Sequence, residues 1–95
     1  MNLNKIVTKS KNMFFDASKK YRTQGLSIVP YESIIAQNGE NLFLVHKNMI
    51  FDKGTIQDSS YDVWKITDKL ELIKEDVSKL GVKFFRTLKT IKEIK

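Results

Sequence analysis

The run VWKITDKLELIKEDVSKLGVKFFRTLKTIKEIK, residues 63–95, decides how this chain is read. Its apolar residues recur at alternating steps of three and four. With Val63 at heptad position a, the a positions are Val63, Leu70, Val77, Phe84 and Ile91. The d positions are Ile66, Ile73, Leu80, Thr87 and Ile94, of which only Thr87 is polar. A seam kept over so long a run predicts an extended amphipathic helix. Ser59, followed three residues later by Asp62, makes a capping-box-like start for it. Gly81 sits inside the run, where glycine costs about 1 kcal/mol relative to alanine. The helix is therefore expected either to continue through Gly81 or to bend there. In a parallel pair of copies Lys69 would face Lys74, so that pairing has no electrostatic support.

The polar face of this run changes along its length. Up to Leu80 it mixes signs, which suits a solvated face. From Val82 onward it is almost purely basic, and Phe84, Phe85 and Leu88 join the apolar stripe. The other end of the chain has the same bias. Residues 1–22 carry Lys5, Lys9, Lys11, Lys19, Lys20 and Arg22 against a single acid, Asp16. The net charge is +6 and the pI near 9.6, with a mildly acidic middle. Such a balance favours acidic partners: nucleic acid, anionic lipid or an acidic protein face. Of the 17 basic residues only Arg22 and Arg86 are arginine. Lysine makes point-charge contacts rather than the bidentate contacts that read bases.

Upstream of residue 63 the pattern changes twice. Leu3, Ile6, Val7, Met13, Phe14, Ala17 and Tyr21 share one face at helical spacing, so residues 3–21 are expected to be a helix ended by Thr23-Gln24-Gly25. Residues 26–57 favour strands. Leu26–Val29 is a short β-favouring run, and Pro30 bars a central-strand role at its own position. Ile34-Ile35-Ala36 and Leu42-Phe43-Leu44-Val45 flank Asn38-Gly39, a strong hairpin signal. A second turn is expected at Asp52-Lys53-Gly54. Residues 42–45 do not alternate, so that strand is expected to be covered on both faces, with the terminal helices as covers.

The expected fold is α+β in a single domain, 1–95: an N-terminal helix, a small antiparallel sheet of three to four short strands, and a long C-terminal helix that may bend near Gly81. With 95 residues the core is close to the lower limit for independent stability, which raises the prior for homo-oligomerisation or a protein partner. No cysteine is present, so disulfides and thiolate metal sites are excluded. The first residues lack the apolar core of a signal peptide, and no apolar run reaches membrane-spanning length. The expected location is cytoplasmic.

Chemistry-bearing motifs are sparse. His46 is the only histidine and is expected near a strand end, partly exposed. Serine and aspartate are present, but a triad is defined by geometry and not by composition. There is no EF-hand spacing, Cys/His cluster or phosphate-cradling glycine loop. The chain is therefore expected to be no enzyme, with no catalytic, cofactor or metal residues and no small-molecule substrate.

Three functions remain, in this order: a protein-binding or accessory module of the inhibitor or adaptor kind, such as viruses and mobile elements carry, acting on a partner or by self-association; a sequence-nonspecific DNA or RNA binder; and a membrane-surface binder. Contacts to nucleic acid or a partner are expected at Lys9, Lys11, Phe15, Lys19, Lys20 and Arg22 at one end, and at Lys83, Phe85, Arg86, Lys89 and Lys92 at the other. A protein interface is expected at Trp64, Phe84, Leu88 and Ile91.

Overall fold

A computed structural model of the chain describes residues 2–94, including the side chains of all but Pro30 and Tyr31. Helix α1 spans Asn4–Arg22. Three long strands follow as a meander: β1 (Ser27–Asn38), β2 (Asn41–Asp52) and β3 (Thr55–Ile66). A three-residue strand β4 (Leu72–Lys74), a short helix α2 (Val77–Arg86) and an edge strand β5 (Lys89–Glu93) complete the order. The strands form one antiparallel sheet in the order β4-β3-β2-β1-β5.

Both hairpin turns fall where the sequence places them. Asn38 pairs with Asn41 across Gly39-Glu40, and Asp52 pairs with Thr55 across Lys53-Gly54. Lys53 and Gly54 have φ of 50° and 81°. Positive φ at both central residues matches the right-handed twist of the flanking strands. Residues 27–38 form one strand, not two short ones. Pro30 is accommodated at a bulge, where the β1–β2 register shifts between Pro30 and Glu32.

The sheet lies between the two helices. On one face Leu3, just before α1, and Ile6, Val7 and Met13 of α1 pack with Ile35, Leu44 and Ile66. On the other, Val77, Leu80, Phe84 and Phe85 of α2 pack with Ile34, Ala36, Phe43, Val45 and Val63. Phe43 and Phe84 meet edge to face at 5.0 Å. Successive residues of Phe43-Leu44-Val45 therefore enter different cores, which is why the run has no polar position. Burying one such side chain fully stabilises the fold by about 2 kcal/mol.

The long C-terminal helix is not formed. Val63 to Ile66 are the end of β3, and the only helix beyond them among the described residues has ten residues and is kinked at Gly81. Ser59 and Asp62, read as a helix start, lie in β3; the residue that caps α2 is Asp76, whose carboxylate accepts from the Ser78 amide at 3.1 Å. Leu70 takes φ 61° and Gly81 takes φ 76° and ψ 171°, both outside the helical region. The heptad seam divides accordingly. Val63, Val77, Leu80 and Phe84 enter the core under α2, whereas Ile66, Leu70 and Ile94 enter the core under α1. Ile73 and Ile91 enter neither and are exposed. A three-four spacing arose here from a strand end, a turn, a second strand, a short helix and a third strand, each with its own local period.

Candidate functional site

The shortness of α2 leaves part of the sheet uncovered. Along β2 the residues from Phe43 to Val45 are buried whichever way they point. From His46 onward burial alternates: His46, Asn48 and Ile50 are buried on the α1 side, while Lys47, Met49 and Phe51 on the α2 side are only half-buried. Cross-strand neighbours extend that second row. Met49 pairs with Val29 and Ser59, and Phe51 pairs with Ser27 and Ile56. Val29 and Ile56 are 44% and 57% exposed. Val29, Met49, Phe51 and Ile56 thus form an apolar patch on a sheet face that no element of the described residues covers. Glu32 and Lys47, opposite one another in the β1–β2 register, border it on the side nearest α2, and Tyr61 stacks there against Phe85 with ring centres 4.7 Å apart.

The α1 side of the same strands carries polar groups. Ser10, 2% exposed, shares a 2.7 Å hydrogen bond between its Oγ and His46 Nε2. His46 is 4% exposed, so the expectation of a partly exposed strand-end histidine is corrected: β2 runs straight through it. Its ring meets Trp64 edge-on at 4.9 Å. Burial pulls its pKa down to about 4; Asp62 opposes that shift and Lys74 adds to it. The ring is therefore neutral at pH 7. Beside it, Asn48 Nδ2 donates to Asp62 Oδ2 at 3.1 Å, and Lys74 Nζ lies 2.6 Å from Asp62 Oδ1 and 4.2 Å from the Trp64 ring centre.

These groups floor a groove of about 500 Å³ that is roofed by Met13, Phe14, Asp16 and Ala17 of α1. Ser10 does not line it. The Ser10–His46 contact is thus a tie between helix and sheet, not a nucleophile facing a substrate. Both residues stand out in the sequence: Ser10 interrupts the apolar face of α1, and His46 follows directly on the apolar run Leu42–Val45. No group of three or more histidine or acidic side chains is placed to hold a metal ion among the described residues.

The residues expected to bind nucleic acid or a partner are dispersed. Lys11, Phe15, Lys19, Lys20 and Arg22 are exposed on α1, Lys19 lying 4.5 Å over the Phe15 ring. Lys9 reaches across to donate to the Leu70 carbonyl at 3.2 Å. Lys83 and Arg86 are exposed on α2, on the opposite face of the sheet. Lys89 and Lys92 sit on the edge strand, paired with Gln37 and Ile35. Phe85 is half-buried against Tyr61. Of the expected interface residues, Phe84 and Leu88 pack under α2 onto the chain's own core, Trp64 lines the groove, and Ile91 is exposed at the bulge of β5. The apolar patch of Val29, Met49, Phe51 and Ile56 went unrecognised because the long helix was expected to cover it. No helix among the described residues is long and apolar enough to cross a membrane. No protein-family model matches the chain, and no curated protein or solved structure does.

Proposed function

We propose that this chain is a non-enzymatic protein-binding module that associates with a second copy of itself through the uncovered sheet face. The observation that carries the reading is the change of burial along β2, from both faces at Phe43–Val45 to one face at Lys47–Phe51. A contiguous exposed apolar patch on a chain this small marks an interaction surface. The charge of this face permits a like partner although the overall charge opposes one. At a net charge of +6 two copies repel one another at long range. The patch itself is uncharged, and its border carries one acid and one base, Glu32 and Lys47. Two copies meeting there bring together their least repulsive surfaces. A partner chosen for acidity would instead favour the exposed lysines of α1.

Sedimentation velocity over a range of protein concentrations tests this. A concentration-dependent shift from monomer to dimer is expected, abolished by Ile56→Lys with the thermal midpoint of the monomer unchanged. A monomer at every concentration, or a dimer that Ile56→Lys leaves intact, overturns the reading.

A second reading, nonspecific nucleic-acid binding, draws on one placement. Cross-strand pairing puts Lys89 and Lys92 on the same side of the sheet as the lysines of α1, because their partners Gln37 and Ile35 alternate with the residues that face α2. Lys83 and Arg86 take no part in that surface. If this reading holds, the affinity for random-sequence DNA or RNA falls linearly with salt on a log–log plot. Lys89→Gln with Lys92→Gln then lowers the slope, and Lys83→Gln with Arg86→Gln does not.

A further inference from the structure

The groove beside α1 is independent of the uncovered face, and its chemistry differs from that of the rest of the surface. Its volume of about 500 Å³ lies in the range of small-molecule sites. Met13, Phe14, Ala17, Ile28 and Leu72 make apolar walls around the polar floor. We infer that it binds an organic cation: a small molecule with a protonated amine on an apolar body.

Three observations converge on that class. The first is that the groove already holds an ammonium. Lys74 Nζ sits 2.6 Å from Asp62 Oδ1 and 4.2 Å from the centre of the Trp64 ring. A carboxylate and an indole face together form the usual cradle for an amine, one supplying charge and the other its negative quadrupole. Asn48, buried beside it, donates to the other carboxylate oxygen at 3.1 Å and holds Asp62 in orientation.

The second is the charge of the lining. Asp16, the only acid in residues 1–22, faces the groove from α1 and makes no hydrogen bond or ion pair among the described residues. With Asp62 it gives two carboxylates to one ammonium, Lys74, in the lining of a chain that is otherwise basic. An entering anion finds its one possible counter-ion already engaged by Asp62, and His46 is neutral. An entering cation finds Asp16, Asp62 and Trp64.

The third is that the internal occupant is displaceable. The side chains of Lys74 and Asp62 are 49% and 41% exposed. An ion pair so open to solvent adds little to stability, because water screens both charges. Lys74 also lies on β4, a strand of three residues at the sheet edge. Its long side chain can swing into solvent while the ligand amine takes its place and the apolar body fills the groove. Lys74 thus acts as a built-in competitor.

Trp64 is the only tryptophan and lines the groove, so its fluorescence reports occupancy directly. The full chain is titrated near neutral pH with 2-phenylethylamine, 2-phenylethanol and 3-phenylpropanoate, which share an apolar body and differ in the head group. A saturable change is expected with the amine, and binding about tenfold weaker or worse with the other two, which corresponds to ~1.4 kcal/mol. Lys74→Met removes the competitor and is expected to tighten amine binding by about tenfold. Asp62→Asn weakens it by a similar factor; should that variant fail to fold, Asp16→Asn on the opposite wall is expected to weaken it severalfold. Equal binding of amine and alcohol, a preference for the carboxylate, or no saturable change in either the wild-type chain or Lys74→Met overturns the inference.

Discussion

The two halves of β2 differ in what covers them. Phe43, Leu44 and Val45 lie between two helices, whereas Lys47, Met49 and Phe51 have α1 behind them and no described element in front. The same strand, between the same two neighbours, passes from a closed core to a half-open surface within a few residues. The cause is the shortness of α2, ten residues kinked at Gly81, against a strand of twelve that spans about 40 Å. Buried contacts are therefore concentrated near the β1–β2 turn and exposed apolar surface near the β2–β3 turn.

Substitutions on the two sides of that divide break the comparison most directly. Leu44→Ala, at a fully buried position, is expected to lower stability by about 3–4 kcal/mol in denaturant unfolding. Ile56→Ala, at the exposed end, is expected to cost under about 1 kcal/mol in the monomer. Equal losses would mean that the distal half is also core and that the proposed docking face is closed.

The boundary between the halves lies at His46, and pH probes it. Its folded pKa of about 4 is below the usual 6.5, so between those values the unfolded chain binds more protons than the folded one. Stability is then full above about pH 6.5 and falls as pH drops toward 4, by up to about 3 kcal/mol. In His46→Leu that part of the pH dependence is expected to vanish when melts are compared at pH 7 and pH 4.5.

Gly81 sharpens the contrast from the side of α2. In an unbroken helix, alanine at this position would stabilise by about 1 kcal/mol. At φ 76° and ψ 171° it is expected to destabilise by about 2 kcal/mol. An added Cβ meets nothing within 4 Å, so the cost is one of backbone conformation and not of crowding. A stabilised Gly81→Ala chain would mean that α2 runs unbroken through this position.

Ser10→Ala deprives the buried His46 Nε2 of its partner and is expected to cost about 1–2 kcal/mol. Lys74→Met, which breaks only a half-exposed ion pair, is expected to change stability by less than about 1 kcal/mol.

Short-range physics made much of the fold legible. The helix over Asn4–Arg22 follows from one apolar face of consistent period, and both hairpins follow from Gly-containing turns between apolar runs. Burial of Phe43, Leu44 and Val45 from both sides followed from the lack of alternation over residues 42–45. The groove was less legible. Ser10, His46 and Asn48 stand out as polar residues at apolar positions, but only packing shows that Ser10 bonds to His46 and that Asn48 bonds to Asp62.

What the sequence by itself determined is therefore the set of elements whose signal is local: α1, the two turns, and the apolar runs beside them, but not the length of β1 or β3. What only the tertiary structure decided is the fate of residues 63–95. Their apolar spacing is compatible with one helical face, yet Val63 and Ile66 are drawn into opposite cores by strand pairing with β2. A period records how often apolar residues recur, not which surface buries them. Once β3 had paired, the hydrogen bonds of the sheet edge and the positive φ at Leu70 and Gly81 divided the run. The short helix that remained left the distal half of the sheet open.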